Sequence, residues 1–370
     1  MRLPFTIFRY FGRRFLAAVL VVAAGLTGLV ALFDFLELLR ESATAPHASF
    51  DTIVEIELLR LPWSFMQTIP FAVLLGGLYA FWRLARSSEL AVTRAAGISA
   101  WQFLAAPIII AGLLGAFCTT AVSPLSAATY GRAETLYNQY LKPSGGPLSL
   151  NGGSLWVRQM DNGLTNAGVA VMHADNVWLN DKSLQADKVS ILRLSAENSM
   201  LQRIDATHAT LSTGYWHLKN VVILLPNATP RTLPAMDFPT DLTVNRVQES
   251  FASPNALSFW ALPGFIHLLK RSGFSTTQHD LVFQALLALP LLCATMALVA
   301  AGFSMRPFRR GGTGATLGAG VGFGFALFMV SEVANQFGTS GAIPVMLAAW
   351  APALAGLFFS LALLLHLEDG

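Results

Sequence analysis

Few residues in this chain are placed to make or break covalent bonds. The seven histidines are scattered, with no H-x-x-x-H pair to share a metal on one helix face. No G-x-S-x-G stretch offers a nucleophile elbow. The run Gly311-Gly312-Thr313-Gly314-Ala315-Thr316-Leu317-Gly318 is glycine-rich but lacks the lysine of a phosphate-binding loop, so ATP hydrolysis is not expected of this chain. Cys118 and Cys293 lie inside apolar runs, away from any partner for a metal or an exposed disulfide. Neither a catalytic residue nor a metal site is expected, nor a cofactor on this chain.

The chemistry on offer is contact and movement. In the segment Arg83 to Ser99, Ser87 or Ser88 can cap a helix and Glu89 suits its first turn. Leu90 and Val92 to Ala96 continue it, and Gly97 can end it. A short helix of about residues 86–97, carrying Arg86, Ser88, Glu89, Leu90 and Arg94, is suited to seat in a groove on a soluble partner. An ordinary solvated loop helix is the plainer reading of the same residues. Further on, Gly314, Gly318 and Gly322 recur every four residues, as do Gly320 and Gly324. That spacing makes a small-residue face which lets another helix approach closely in lipid. It serves packing within a bundle, or else a subunit interface or movable gate helix. In Tyr215 to Leu224, the residues Trp216, Leu218, Val222 and Leu224 share one parity, and His217 and Lys219 take the other. One apolar face follows, either a closed core or a groove. A single bulge between Trp216 and Val222 would flip part of it.

These residues need elements to hold them, and the composition says in what solvent. Hydrophobic residues make up 54% and charged residues 12%, against about 25% charged in a soluble domain. Six charge-poor stretches can cross the roughly 30 Å of hydrocarbon that takes about 20 helical residues. They are Phe15 to Phe33, Leu61 to Trp82, one within Ala95 to Gly131, Leu281 to Met305, Gly311 to Ser331 and roughly Ile343 to Leu365. The first reads as an uncleaved helix rather than a signal peptide, because acidic residues follow it and its apolar core is too long. The net charge of +3 is spread through apolar sequence, and nucleic-acid binding is not expected.

Orientation follows from the basic loops. Arg2, Arg9, Arg13 and Arg14 precede the first span, Arg83, Arg86 and Arg94 follow the second, and Arg306, Arg309 and Arg310 follow the fourth. The first loop instead carries Glu37, Glu41, Asp51, Glu55 and Glu57. Both termini are therefore expected in the cytoplasm and the central insert on the other side of the membrane. The expected organisation is a membrane half at 1–125, an inserted β-rich domain at 126–278 and a second membrane half at 279–370. The insert opens on a polar connector, Lys142 to Gly153. Strands follow, with Asp187 to Leu194 and Leu201 to Leu211 patterned like Tyr215 to Leu224, in a one-sided antiparallel sheet or open sandwich. A short amphipathic helix, Trp260 to Lys270, leads back toward the membrane.

Several of these runs carry a resemblance. Leu61-Pro62, Pro70-Phe71-Ala72-Val73-Leu74-Leu75-Gly76, Ser88-Glu89-Leu90-Ala91-Val92, Arg94-Ala95-Ala96-Gly97 and Trp101-Gln102 resemble the LptF/LptG permease family of lipopolysaccharide export. So do Phe303-Ser304-Met305-Arg306-Pro307 before a glycine-rich helix and the ending His366-Leu367-Glu368-Asp369-Gly370. The strand Trp216-x-Leu218-x-Asn220-Val221 is similar to that family's β-jellyroll. The resemblance extends over the whole chain and is greater to the LptG branch than to the LptF branch, which stays open as an alternative. A membrane-anchored receptor that binds without transport is the reading from a different class.

The resemblance implies a polytopic α-helical membrane protein of six spans, arranged three plus three around a periplasmic β-jellyroll-like domain. It implies an inner-membrane permease that pairs with a sister permease on two copies of the ATPase LptB, which holds the ATP and Mg. Lipopolysaccharide would enter a gate lined by the first and fifth helices and pass through the periplasmic domain toward LptC. The helix at Glu89 would seat in the ATPase. The gate would include Asp34, Glu37 and Arg40 at the outer end of the first helix, and Gly314, Gly318, Gly322 and Phe325 on the fifth. Trp216, Leu218 and Val222 would line the lipid groove. One departure stands out: members can place several lysines where this chain has Asp34-Phe35-Leu36-Glu37-Leu38-Leu39-Arg40-Glu41. An energy source is required in any case. Moving one twelve-carbon acyl chain into water costs roughly 10 kcal/mol at about 0.8 kcal/mol per CH₂.

Overall fold

A computed structural model of the chain describes residues 5–43, 49–87, 89–95, 97, 99–141, 148–151, 154–161, 168–180, 183–195, 199–226, 229–240, 242–243, 253–271, 275–304 and 313–368. Expectations placed on Ser88, on Met305 to Gly312 and on much of the 142–153 connector lie outside these residues. The chain forms two compact units, one of Met1–Leu141, Pro254–Pro263 and Thr277–Gly370, the other of Lys142–Ser253 and Gly264–Thr276.

The first unit is helical. Its elements are α1 (Phe5–Ser42), α2 (Phe50–Arg86), α3 (Glu89–Ala95), α4 (Ala100–Phe117), α5 (Ser123–Tyr140), α7 (Thr277–Ser304), α8 (Thr313–Thr339) and α9 (Val345–Glu368). A short helix between them, α6 (Leu262–Arg271), belongs from Gly264 onward to the second unit. Among the described residues, six helical spans are long and apolar enough to cross a membrane, with α4 and α5 making one of them through a π-helical turn at Cys118–Val122. The six charge-poor windows and the six spans coincide, and the chain is a polytopic membrane protein.

The helices outrun the windows. α1 continues to Ser42 and α2 starts at Phe50 rather than near Leu61, so Pro62 sits inside a helix. Ser49 caps α2, its hydroxyl accepting from the Thr52 amide at 3.3 Å. The charged stretch before Leu61 stays helical because Ile53 and Ile56 recur at helical spacing and are buried with Leu38 and Ala133. Likewise α5 carries helical structure past residue 125 to Tyr140.

In lipid, apolar side chains gain little by leaving their solvent, so close backbone approach and polar ties hold helices together. Gly76 lets α1 lie directly on α2: a Cβ added there would stand 2.6 Å from the Cα of Val19. Gly115 does the same for α4 and α7, with 2.6 Å to the Cα of Pro290. Thr119 Oγ1 donates to the Leu286 carbonyl at 2.8 Å and Thr295 Oγ1 to that of Ala353 at 3.2 Å. Where the π turn disturbs the helix ladder, the Thr120 carbonyl accepts from the Trp260 indole at 3.1 Å, and Ser123 Oγ accepts from the Phe259 amide at 2.9 Å. The core centres on Phe15, Val19, Val73, Leu74, Phe81, Ala297 and Ala300.

Among the described residues, the second unit is one antiparallel sheet of seven strands, each paired to its sequence neighbours, with one short helix. The strands are β1 (Leu148–Asn151), β2 (Ser154–Asp161), β3 (Gly168–Asn180), β4 (Ser183–Leu194), β5 (Met200–Ser212), β6 (Tyr215–Leu224) and β7 (Arg231–Pro239). Leu148–Asn151, expected within a polar connector, is thus a strand. The sheet is one-sided: Leu155, Met172, Ile191, Ile204, Trp216 and Leu218 are buried on a single face, with Leu269 of α6 among them.

A kink crosses this sheet. Asp175, Lys188, Thr207 and Asn220 stand in one row over β3 to β6. Lys188 (φ 49°) and Asn220 (φ 52°) are left-handed there. Asn220 Nδ2 donates to Thr207 Oγ1 at 3.1 Å, and Thr207 Oγ1 donates to the Lys219 carbonyl at 3.3 Å. On every strand the buried parity changes at this row, from Ala174 to Val177, Ala186 to Val189, Ala206 to Ala209 and Leu218 to Val221. The expected apolar set is therefore corrected. Val221, not Val222, joins Trp216 and Leu218, and Ile223 rather than Leu224 packs beside it. The left-handed Asn220 turns the strand over by one residue.

Candidate functional site

Helix α3 forms where the sequence places it. Glu89 is in its first turn, it stops at Ala95, and Gly97 beyond it adopts φ +80°. Ser87 closes α2 instead of opening α3: its amide bonds to the Arg83 carbonyl at 3.0 Å. On the far side, Ser99 starts α4, its amide donating to Gln102 Oε1 at 3.2 Å.

Glu89 does not stand free in solvent. Its Oε2 accepts from the Tyr10 hydroxyl at 2.9 Å, and its Oε1 accepts from Arg14 Nη1 at 3.1 Å and Ser87 Oγ at 3.0 Å. The Arg14 guanidinium lies 4.6 Å from the centre of the Tyr10 ring. Among the described side chains of α3, Val92 is 68% exposed. Arg86 is exposed at the end of α2, 5.5 Å from the Trp82 ring. The side chains of Leu90 and Arg94 lie outside the described residues.

The two glycine rows on α8 face different surroundings. A Cβ on Gly320 would meet Leu78 at 2.9 Å, and one on Gly324 would strike the same helix at Leu74. That row packs α8 against α2. Gly314, Gly318 and Gly322 meet nothing within 4 Å, and Phe325 is 57% exposed. At the outer end of α1, Glu37 and Arg40 are exposed and 4.0 Å apart, a weak pair in water. Asp34 is half-buried.

Two residues the sequence reading passed over as loop charges, Glu57 and Arg60, bring buried polar atoms to α2. Glu57 is 7% exposed, and among the described residues neither of its carboxylate oxygens has a hydrogen-bond partner. Arg60 has a buried, unpartnered Nε, and its guanidinium lies 5.1 Å from the Tyr137 ring. Ionisable groups inside membrane spans are costly and mark functional positions by default. Their helical spacing from Ile53 and Ile56 was the available signal. In the sheet unit, Trp216 and Leu218 are fully buried, and Val222 is turned to the other face by the kink.

Comparison with known proteins gives this arrangement a family. A family model described as lipopolysaccharide export system permease LptF/LptG matches residues 9–366. The chain is similar to the lipopolysaccharide export system permease protein LptG of Haemophilus influenzae, 24% identical over 355 residues that cover 94% of this chain and 95% of that one. It is similar to LptG of Escherichia coli K12 at 24% identity over 370 residues, 97% of each chain. An apolar six-span bundle, a one-sided sheet inserted in the sequence after its third span and a match across almost all of the chain's length make one conclusion: the chain belongs to the LptF/LptG family of lipopolysaccharide export permeases.

Proposed function

We propose that this chain is the LptG-type transmembrane subunit of an ATP-driven lipopolysaccharide exporter. The observation that carries the reading is the uneven burial of the spans. α1 and α8, the helices the family resemblance assigns to a lateral gate, are the least buried, at 22% and 17% of their apolar windows against 61% for α2. Their open faces are Val21, Leu29 and Phe33 on one and Phe325, Val330 and Val333 on the other. A sister permease of LptF type completes the gate. The permease pair sits on two LptB-type ATPase copies, which hold the nucleotide and Mg, with α3 seated in an ATPase groove, and an LptC-type protein receives the lipid. The LptG assignment rests on the names of its relatives.

The reading requires lipid on the apolar face of the sheet. Leu218 is fully buried at rest, so lipid reaches it only when that face opens. A photo-crosslinking residue at Leu218 is expected to trap lipopolysaccharide only with ATP and the ATPase present, and one at Lys219 to trap much less. Equal trapping at both, or trapping without ATP, would sink the driven lipid path. A receptor without transport would bring down no ATPase on purification.

Orientation is tested separately. Cys118 and Cys293 are buried, so the parent chain serves as an unreactive background. Ala95→Cys is expected to be shielded from an impermeant thiol reagent in intact spheroplasts and Lys219→Cys to react. The opposite pattern would place α3 outside, where no ATPase could reach it.

A further inference from the structure

Glu89 is bound on both sides. We propose that it clamps the ATPase-facing helix α3 to α1, with Tyr10 and Arg14 as positioning residues, so that movement of α3 is passed to the gate helix; this rests on the coupling role proposed above for α3.

Three elements converge on one carboxylate. Tyr10 and Arg14 come from α1, Ser87 from the end of α2, and Glu89 opens α3. Tyr10 and Arg14 are four residues apart, hence on one face of α1. The guanidinium covers the tyrosine ring while both donate to the same side chain. One exposed ion pair is weak and easily lost. A carboxylate held by a phenol, a guanidinium and a hydroxyl has its direction fixed as well as its charge satisfied. The clamp also crosses a gap. A cleft of about 360 Å³ lies between Thr6, Tyr10 and Phe11 of α1 and Ser87, Glu89, Val92 and Thr93. Among the described side chains, the ties across that cleft from α3 to α1 are the polar ones to Glu89. A pull on α3 therefore reaches α1 through Glu89. If Glu89 were instead a direct ATPase contact, its carboxylate would have to leave all three donors first.

A charge exchange separates the two roles. The parent, Arg14→Glu, Glu89→Arg, the double exchange and Tyr10→Phe are purified with the ATPase and compared in liposomes. Each single charge variant is expected to release roughly fivefold less lipopolysaccharide per ATP hydrolysed, the ratio set by an exposed ion pair at the strong end of its range. In Arg14→Glu, which lies on α1 and outside the docking helix, hydrolysis itself and recovery of the ATPase should persist. The double exchange is expected to restore release to within about twofold, because the pair is rebuilt with its charges reversed. Tyr10→Phe keeps the ring under Arg14 and should lose less, about twofold. An exchange no better than Glu89→Arg, with Arg14→Glu behaving as the parent, would overturn the clamp in favour of a direct ATPase contact. Hydrogen exchange at the α3 amides reads the clamp without any ATPase: faster in both single charge variants, and restored in the exchange. Unrestored exchange there overturns the clamp, whereas a parent chain that recovers no ATPase counts against the transport reading instead.

Discussion

Replacing Gly76 by valine is expected to leave little folded protein in the membrane. A Cβ at this position would stand 2.6 Å from the Val19 Cα, 2.8 Å from its amide nitrogen and 3.1 Å from the Ala18 carbonyl carbon. All three are main-chain atoms, so no rotamer change relieves the overlap. α1 would have to move off α2 along the seam where Phe15, Val19 and Ala23 meet Val73, Leu74 and Phe81. Overpacking typically costs about 1–3 kcal/mol, and a backbone obstruction belongs at or above the upper end. Against a total stability of about 5–15 kcal/mol, that is enough to deplete the native bundle. Gly318→Val is the control, since nothing lies within 4 Å of that glycine. The measurement is the amount of monodisperse protein recovered in detergent and its unfolding temperature. Equal yield and stability for the two variants would show that α1 and α2 do not meet at Gly76.

This glycine also shows what a sequence does and does not disclose. Gly76 closes the run Pro70-Phe71-Ala72-Val73-Leu74-Leu75-Gly76 that carried the family resemblance, but its spacing gave no sign that it seats a backbone. The glycines that did draw notice, Gly314, Gly318 and Gly322, share their fourfold spacing with Gly320 and Gly324, and only the latter pair is packed within the chain. Spacing defines a helix face and cannot say what lies against it. The spans themselves were legible because charge is excluded from hydrocarbon so strongly. Their ends were not. Outside the hydrocarbon a helix can carry Glu37 and Glu41, or Asp51 and Glu55, and continue until its caps and packing stop it. The partners of Glu89 were hidden for another reason. Tyr10 and Arg14 are 79 and 75 residues away in the chain, and arginines before a first span are accounted for by topology alone.

The sheet raises the same issue at the scale of one residue, and Val221 and Val222 decide it. Strict alternation from Trp216 would bury Val222 and expose Val221. The left-handed Asn220 reverses that, leaving Val221 at 1% exposure beside Ala206 and Leu218. Val222 faces the other way, opposite Asp205 on β5 and Thr232 on β7. Lysine at each position therefore separates the two registers. Val221→Lys puts an ammonium on the buried apolar face of the sheet, opposite Ala206. A buried, unpaired charge of that kind costs several kcal/mol, and the sheet is expected to open. Val222→Lys sets its charge beside Asp205, on the polar side where Arg203 already pairs with that residue at 2.9 Å. Its cost is expected to stay within about 1 kcal/mol, the scale of a cross-strand pair. Hydrogen exchange of the β5 and β6 amides in the full chain is the measurement. Protection should collapse in Val221→Lys and persist in Val222→Lys. The reverse result would mean that the strand runs through Asn220 without turning over. Trp216, Leu218 and Val222 would then form one continuous apolar row, as plain alternation expects. The face proposed to carry lipid would have to be redrawn with Val222 and Leu224 on it.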